Sequence, residues 1–178
     1  MTFITRRLMR KLSSSKRKKM TITAGTTVPS VDIHTKTKEG LDTINTATYC
    51  AGRKVVLFCV PGAFTPTCSA KHMPGFVEKF DKLKAKGVDA VACLAVNDAH
   101  AMLAWAEAQN AVGKIDLFAD PRCDFSKALG IDRDMGSVMG IRAARCAFII
   151  NDGVINHVFM EEIGAFDVSS VENILDHL

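Results

Sequence analysis

The chain contains no Cys-x-x-Cys pair and no Cys/His spacing of the kind that closes a zinc site, so neither a dithiol motif nor structural zinc is expected. No apolar stretch approaches the ~20 residues of a membrane-crossing helix, and the run Val55 to Val60 has the length of a strand. The start lacks the apolar segment of ~7–15 residues that a secretory signal requires. No internal repeat is present, and no segment of biased composition beyond the first 20 residues. Acid is missing from those 20 residues, which carry Arg6, Arg7, Arg10, Lys11, Lys16, Arg17, Lys18 and Lys19. Setting these eight aside leaves 15 basic against 19 acidic side chains, so the overall charge of +4 hides a body of net −4. A mildly acidic body has no electrostatic footprint for nucleic acid, and neither a nucleic-acid nor a membrane partner is expected.

The leader itself is rich in Arg and Ser and interleaves Phe3, Ile4, Leu8, Met9 and Leu12 with its charges. Such composition describes an organellar transit peptide over residues 1–20, ahead of a domain over residues 21–178. A mitochondrial destination is expected, with plastid or cytoplasm as alternatives. A basic tail, or translation starting at Met20, would account for the same residues.

What the chain does have is length, 178 residues, with 48% apolar content and 24% charge, the figures of one globular domain with a core. Val31–Thr35 and Leu41–Thr48 alternate polar and apolar residues around a turn, as strands do. Val55–Val60 is continuously apolar and closed by Pro61-Gly62, the pattern of a strand buried on both faces. Pro66 suits a first helical turn. Thr67–Lys86 reads as a helix kinked at Pro74-Gly75 and ended by Gly87. A second buried strand, Ala90–Val96, leads to a helix capped by Asp98 and running to about Asn110. Leu117–Ala119 is a short strand and Phe125–Leu129 a short helix. Cys146–Ile150 and Val154–Met160 form a hairpin around Asn151-Asp152-Gly153, and Val168–Leu178 is a closing helix. Strands alternating with helices, then a late hairpin, predict an α/β fold: a thioredoxin-like mixed sheet flanked by helices.

Six cysteines are present: Cys50, Cys59, Cys68, Cys93, Cys123 and Cys146. Cys59, Cys93 and Cys146 lie inside apolar runs, where cysteine behaves as a small buried hydrophobe. A reducing compartment with one special cysteine fits better than a disulfide framework. Cys68 is singled out by place: past a buried strand and a Pro/Gly loop, in the first turn of a helix. Unpaired N–H groups and the positive end of the helix dipole favour a thiolate there, and the thiolate is the nucleophile. On location alone, a structural cysteine at an ordinary helix start explains the position equally well.

The neighbouring residues carry more. Pro61-Gly62-Ala63-Phe64-Thr65-Pro66-Thr67-Cys68 contains P-x-x-x-T-x-x-C, which resembles the active-site pattern of peroxiredoxins, and PGAFTPTCSAKHMPGF resembles their type II, or peroxiredoxin-5, group. Downstream, KGVDAVACLAVNDAHAMLAWAEA and RCAFIINDGVI resemble the family's second strand and helix and its late hairpin, so the likeness runs from about Thr21 to Leu178. It implies a thiol peroxidase for hydrogen peroxide and organic hydroperoxides, without a cofactor or metal. Cys68 matches the peroxidatic cysteine that becomes a sulfenic acid. Thr65 matches the threonine facing sulfur and peroxide, and Pro61 the proline that shields the sulfur. Arg145 matches the arginine that holds charge on the leaving oxygen. Arg142 competes for that role, its plainer reading being a solvated loop charge.

The segment Gly164–Ser170 has no cysteine where some type II members carry a resolving one. Cys93 stands where plant-like members have a second cysteine and is a candidate redox residue, a buried core thiol being the plainer reading. The resemblance therefore implies reduction from outside by glutaredoxin with glutathione, or by thioredoxin. It also implies a homodimer, Phe64 and Phe76 flanking the active-site loop. His72 and His100 are expected on helices, at the surface or behind the site.

Overall fold

The computed structural model describes residues 22–178; the leader expected over residues 1–20 lies outside them. The first two strands, β1 (Asp32–Lys36) and β2 (Leu41–Asn45), pair antiparallel with Asp32 opposite Asn45. The sequence pattern would carry the second on to Thr48. Instead Asn45 caps a helix, α1 (Thr46–Cys50), its side chain accepting from the Ala47 and Thr48 amides. An asparagine cap thus outweighs the strand preference of two threonines.

The buried runs form β3 (Lys54–Cys59) and β4 (Ala90–Ala95), followed by β5 (Asp116–Ala119) and the late hairpin β8 (Cys146–Asn151) and β9 (Val154–Met160). The hairpin turns on Asp152 and Gly153, both at positive φ, as a two-residue primed turn demands. Together they make a seven-stranded sheet in the order β2-β1-β5-β4-β3-β8-β9. β3, β4 and β5 run parallel, and the flanking pairs antiparallel. This is the mixed sheet flanked by helices that the element pattern predicts.

Successive side chains of β3 point to opposite faces. Val56 and Phe58 join a layer with Cys68, Met73, Phe76, Leu83, Cys93, Trp105 and Ile174. Val55, Leu57 and Cys59 join another with Phe118, Phe125, Cys146 and Phe148. The first layer is covered by α2 (Met73–Glu78), α3 (Phe80–Ala85), α4 (Ala99–Ala108) and α7 (Val171–Asp176), the second by α1 and α5 (Asp124–Ala128). Asp98 caps α4 as expected, accepting from His100 and Ala101. The closing helix is shorter than the Val168–Leu178 expected and is capped by Ser170.

The long helix expected over Thr67–Lys86 is broken differently. Pro66 and Thr67 are helical, residues Cys68–His72 form a π-helical turn, and α2 follows with Pro74 in its first turn. Pro74 has no N–H to give and would clash with the carbonyl four residues back; the wider turn, in which Met73 N–H donates to Cys68 O, relieves both. The second break falls at Lys79.

Between α5 and β8 the chain forms a small second sheet that the sequence did not signal, β6 (Asp132–Asp134) against β7 (Ile141–Ala143), spanned by the short α6 (Gly136–Met139). It follows an internal anchor. Asp120, 3% exposed, accepts from the amides of Asp124 (2.7 Å), Phe125 (3.2 Å) and Ser126 (3.0 Å) and from the Ser126 hydroxyl (2.8 Å). Asp120→Ala strands these donors at the start of α5 and should cost about 2–3 kcal/mol. Urea unfolding should show the lower midpoint with an unchanged slope. Among the described residues, no helix is long and apolar enough to cross a membrane, and no cluster of three metal-ligating side chains occurs.

Candidate active site

β3 delivers the chain to a loop held from several sides. Val60 N–H bonds Leu94 O across to β4 (3.0 Å), and Ala63 N–H bonds the Asn97 side chain (2.9 Å). Gly62 is closely packed: a Cβ there would meet Arg142 Nη1 at 3.2 Å and Thr65 Cγ2 at 3.3 Å, and these side chains would have to give way. Phe64 adopts a positive φ of 61° and is 58% exposed. The Thr65 hydroxyl donates to Gly62 O (2.9 Å), which leaves its oxygen able to accept from an incoming hydroperoxide O–H. Helix begins at Pro66, so Cys68 lies in the first turn, with Ser69 N–H closing back onto Thr65 O. The indole of Trp105 donates to Ser69 Oγ (2.9 Å), fixing that turn against α4.

Antiparallel pairing of β3 with β8 sets Cys59 opposite Cys146. The residue before β8 is therefore brought to the end of β3, where the loop starts. That residue is Arg145. Its Nη2 donates to Cys68 Sγ at 3.5 Å, across 77 positions of sequence. Its Nη1 donates to His72 Nδ1 at 3.1 Å, and its guanidinium lies 5.9 Å from the centre of the Phe166 ring. The Cys68 residue has no exposed surface. The sequence motif and the distant arginine thus meet at one sulfur.

Arg142 does not have the solvated position its plainer reading gave it. It is half-buried on β7, donates from Nε to Met139 O (2.6 Å) and from Nη1 to Pro61 O (3.4 Å), and so props the loop rather than the sulfur. His72 is buried, 1% exposed, against the surface reading. His100 is exposed on α4. A basic residue three positions before Arg145 and a histidine one turn after Cys68 were visible in the sequence; what they touch was not.

The remaining cysteines are free and buried. Burial pushes Cys50 up to about 11 and Cys123 up. Burial, then the neighbouring Cys146, raises Cys59 well above its ordinary value. Cys93 is raised likewise by burial, and secondarily by the charge of Cys68, which lies in the same buried layer.

A cation on a sulfur at a helix start, with a hydroxyl acceptor on the adjoining loop, can hold a thiolate and stabilise negative charge developing on an oxygen beside it. Residues 23–175 match the family model described as Redoxin. The chain is 48% identical over 143 residues to a protein of Oryza sativa subsp. japonica named Peroxiredoxin-2E-2, chloroplastic, covering 78% of this chain and 63% of that one. To Peroxiredoxin-2B of Arabidopsis thaliana it is 41% identical over 139 residues, covering 78% and 86%. The chain thus spans about three fifths of the length of the chloroplastic relatives, 63% of the rice protein and 59% of Peroxiredoxin-2E of Arabidopsis thaliana. Among solved structures it is similar to reduced Prx3 of Vibrio vulnificus in complex with hydrogen peroxide, at 46% identity and a TM-score of 0.85, covering 88% and 98%. Peroxiredoxin 5 of Alvinella pompejana aligns at 30% identity and a TM-score of 0.76, covering 86% and 96%.

Proposed function

The chain belongs to the redoxin family as a peroxiredoxin similar to the plant type II group, and on that premise we propose that it reduces hydrogen peroxide and organic hydroperoxides through Cys68 in antioxidant defence. The observation that carries this is the Arg145 guanidinium on the Cys68 sulfur. The Cys68 thiolate attacks one peroxide oxygen and the O–O bond breaks. The sulfur becomes a sulfenic acid, and the second oxygen leaves with the electron pair and takes up a proton as water or alcohol. Arg145 holds the leaving oxygen's charge, Thr65 accepts the peroxide O–H, and Pro61 walls the sulfur from water.

The sulfenic acid is then reduced by an outside thiol, which forms a mixed disulfide and releases water; a second thiol frees Cys68. Glutaredoxin with glutathione is the preferred reductant. A second reading, in which Cys93 forms a disulfide that thioredoxin reduces, draws on Cys93 packing in the same buried layer as Cys68 and within reach of its charge. The exposed Phe64 beside the site supports a homodimer built on that loop. The chloroplastic names of two relatives support a plastid destination for the leader and not the mitochondrial one that composition suggested.

The test is peroxide consumption by purified protein with two reductants in parallel. Turnover with the glutaredoxin system alone is expected. Turnover with thioredoxin alone would keep the peroxidase and move resolution to Cys93. Stoichiometric oxidation of Cys68 without turnover in either would make the protein a redox sensor.

A further inference from the structure

The Arg145 side chain does not hold its place unaided. His72 sits one turn beyond Cys68 in a cage of Phe58, Phe76 and Phe166, at ring-centre distances of 5.0, 5.7 and 5.0 Å. Its Nε2 lies 3.1 Å from Ser169 O. A carbonyl can only accept, so Nε2 carries the proton, and Nδ1 is left to accept from Arg145 Nη1 at 3.1 Å. Ser169 is itself buried and pinned: Glu161 Oε1 accepts from its amide (2.8 Å), its hydroxyl (2.8 Å) and the Asp167 amide (2.7 Å). Glu161 N–H in turn donates to Arg145 O at 3.1 Å. The chain of contacts closes on the arginine at both its backbone and its side chain.

We propose that His72, held in one tautomer by the Glu161-anchored Ser169 carbonyl, is the positioning residue that aims the Arg145 guanidinium at Cys68. A neutral holder is chemically distinct from a carboxylate one. A carboxylate on Nη1 would pair with the guanidinium and spend its charge there. A neutral imidazole fixes the fork by a hydrogen bond and leaves the whole positive charge for sulfur and peroxide. Burial, and then the adjacent Arg145 charge, push His72 down to about 3, so the ring stays an acceptor throughout the neutral range. The Ser169 bond works against that shift without reversing it.

The inference rests on the peroxidase reading, so wild-type protein must first be oxidised rapidly at Cys68; if it is not, that reading fails. Two variants then separate the roles. His72→Phe fits the aromatic cage and loses both hydrogen bonds. His72→Gln can donate to Ser169 O and accept from Arg145. Single-turnover oxidation by hydrogen peroxide is compared with alkylation of Cys68 by iodoacetamide, which needs the sulfur but no stabilised leaving oxygen. For His72→Phe the peroxide rate should fall about 10- to 100-fold and the alkylation rate less than about threefold. His72→Gln should recover most of the loss. A merely structural role would lower both rates together, or leave the two variants alike, and either result overturns the proposal, as does an unchanged peroxide rate in His72→Phe. Nitrogen NMR of the wild type decides independently of how the variants fold. The His72 ring should stay neutral with its proton on Nε2 from pH 5 to 9; titration near the usual histidine value, or a proton on Nδ1, would overturn the proposal.

Discussion

Cys68→Ser should abolish peroxide turnover, by more than about a thousandfold, with little change in stability. Serine is close to cysteine in size, and its hydroxyl can still accept from Arg145, so the covered site stays filled and partnered. What it loses is the nucleophile. An alkoxide does not form near neutral pH without a base, and a neutral hydroxyl does not break a peroxide O–O bond. No other cysteine is placed to substitute. Burial raises Cys50, Cys59, Cys93 and Cys123, and Cys68 is the cysteine whose sulfur accepts from a guanidinium among the described residues. Peroxide consumption under the reductant that serves the wild type, with unfolding curves on the same preparation, makes the check. Turnover that survives in a folded Cys68→Ser protein would remove the central assignment.

How far such a site can be read from sequence depends on how far apart its parts lie. Pro66 at the first helical position, the buried Val55–Cys59 run and the Asp98 cap are local signals, and the structure follows them. The kink at Pro74 was legible as a disturbance; its form, a π turn that sets His72 inward, depends on the aromatic cage and the Ser169 carbonyl, which come from β3, α2 and the segment before α7. Arg145 could be matched to the family, but no local pattern around it points to Cys68, since it is the β3–β8 register, and not nearness in sequence, that brings the two together. Arg142 looked like a surface charge because the β6–β7 hairpin that carries it toward Pro61 is built from three-residue strands, too short for any periodicity. Glu161 and Ser169 gave no signal, their importance lying in three hydrogen bonds to one carboxylate oxygen.

The same geometry makes Arg145→Gln the variant that separates the two halves of the proposed cycle. Glutamine keeps some of the length and can still donate a hydrogen bond, but carries no charge and lacks the fork by which Nη1 holds His72 while Nη2 reaches sulfur. Negative charge moves onto the leaving oxygen as the O–O bond stretches, so the guanidinium contributes more in the transition state than to the resting thiolate. Loss of one such donor costs about 100- to 1,000-fold. The peroxide step, followed as single-turnover oxidation of Cys68, should slow by that factor. The later step makes different demands, because an outside thiol attacks a sulfenic sulfur and expels water. Reduction of enzyme oxidised beforehand should therefore stay within a few-fold of wild type. Equal slowing of both steps would mean that Arg145 shapes the site as a whole, and an unchanged peroxide rate would pass the role to Arg142, whose Nη1 already reaches the same loop at Pro61 O.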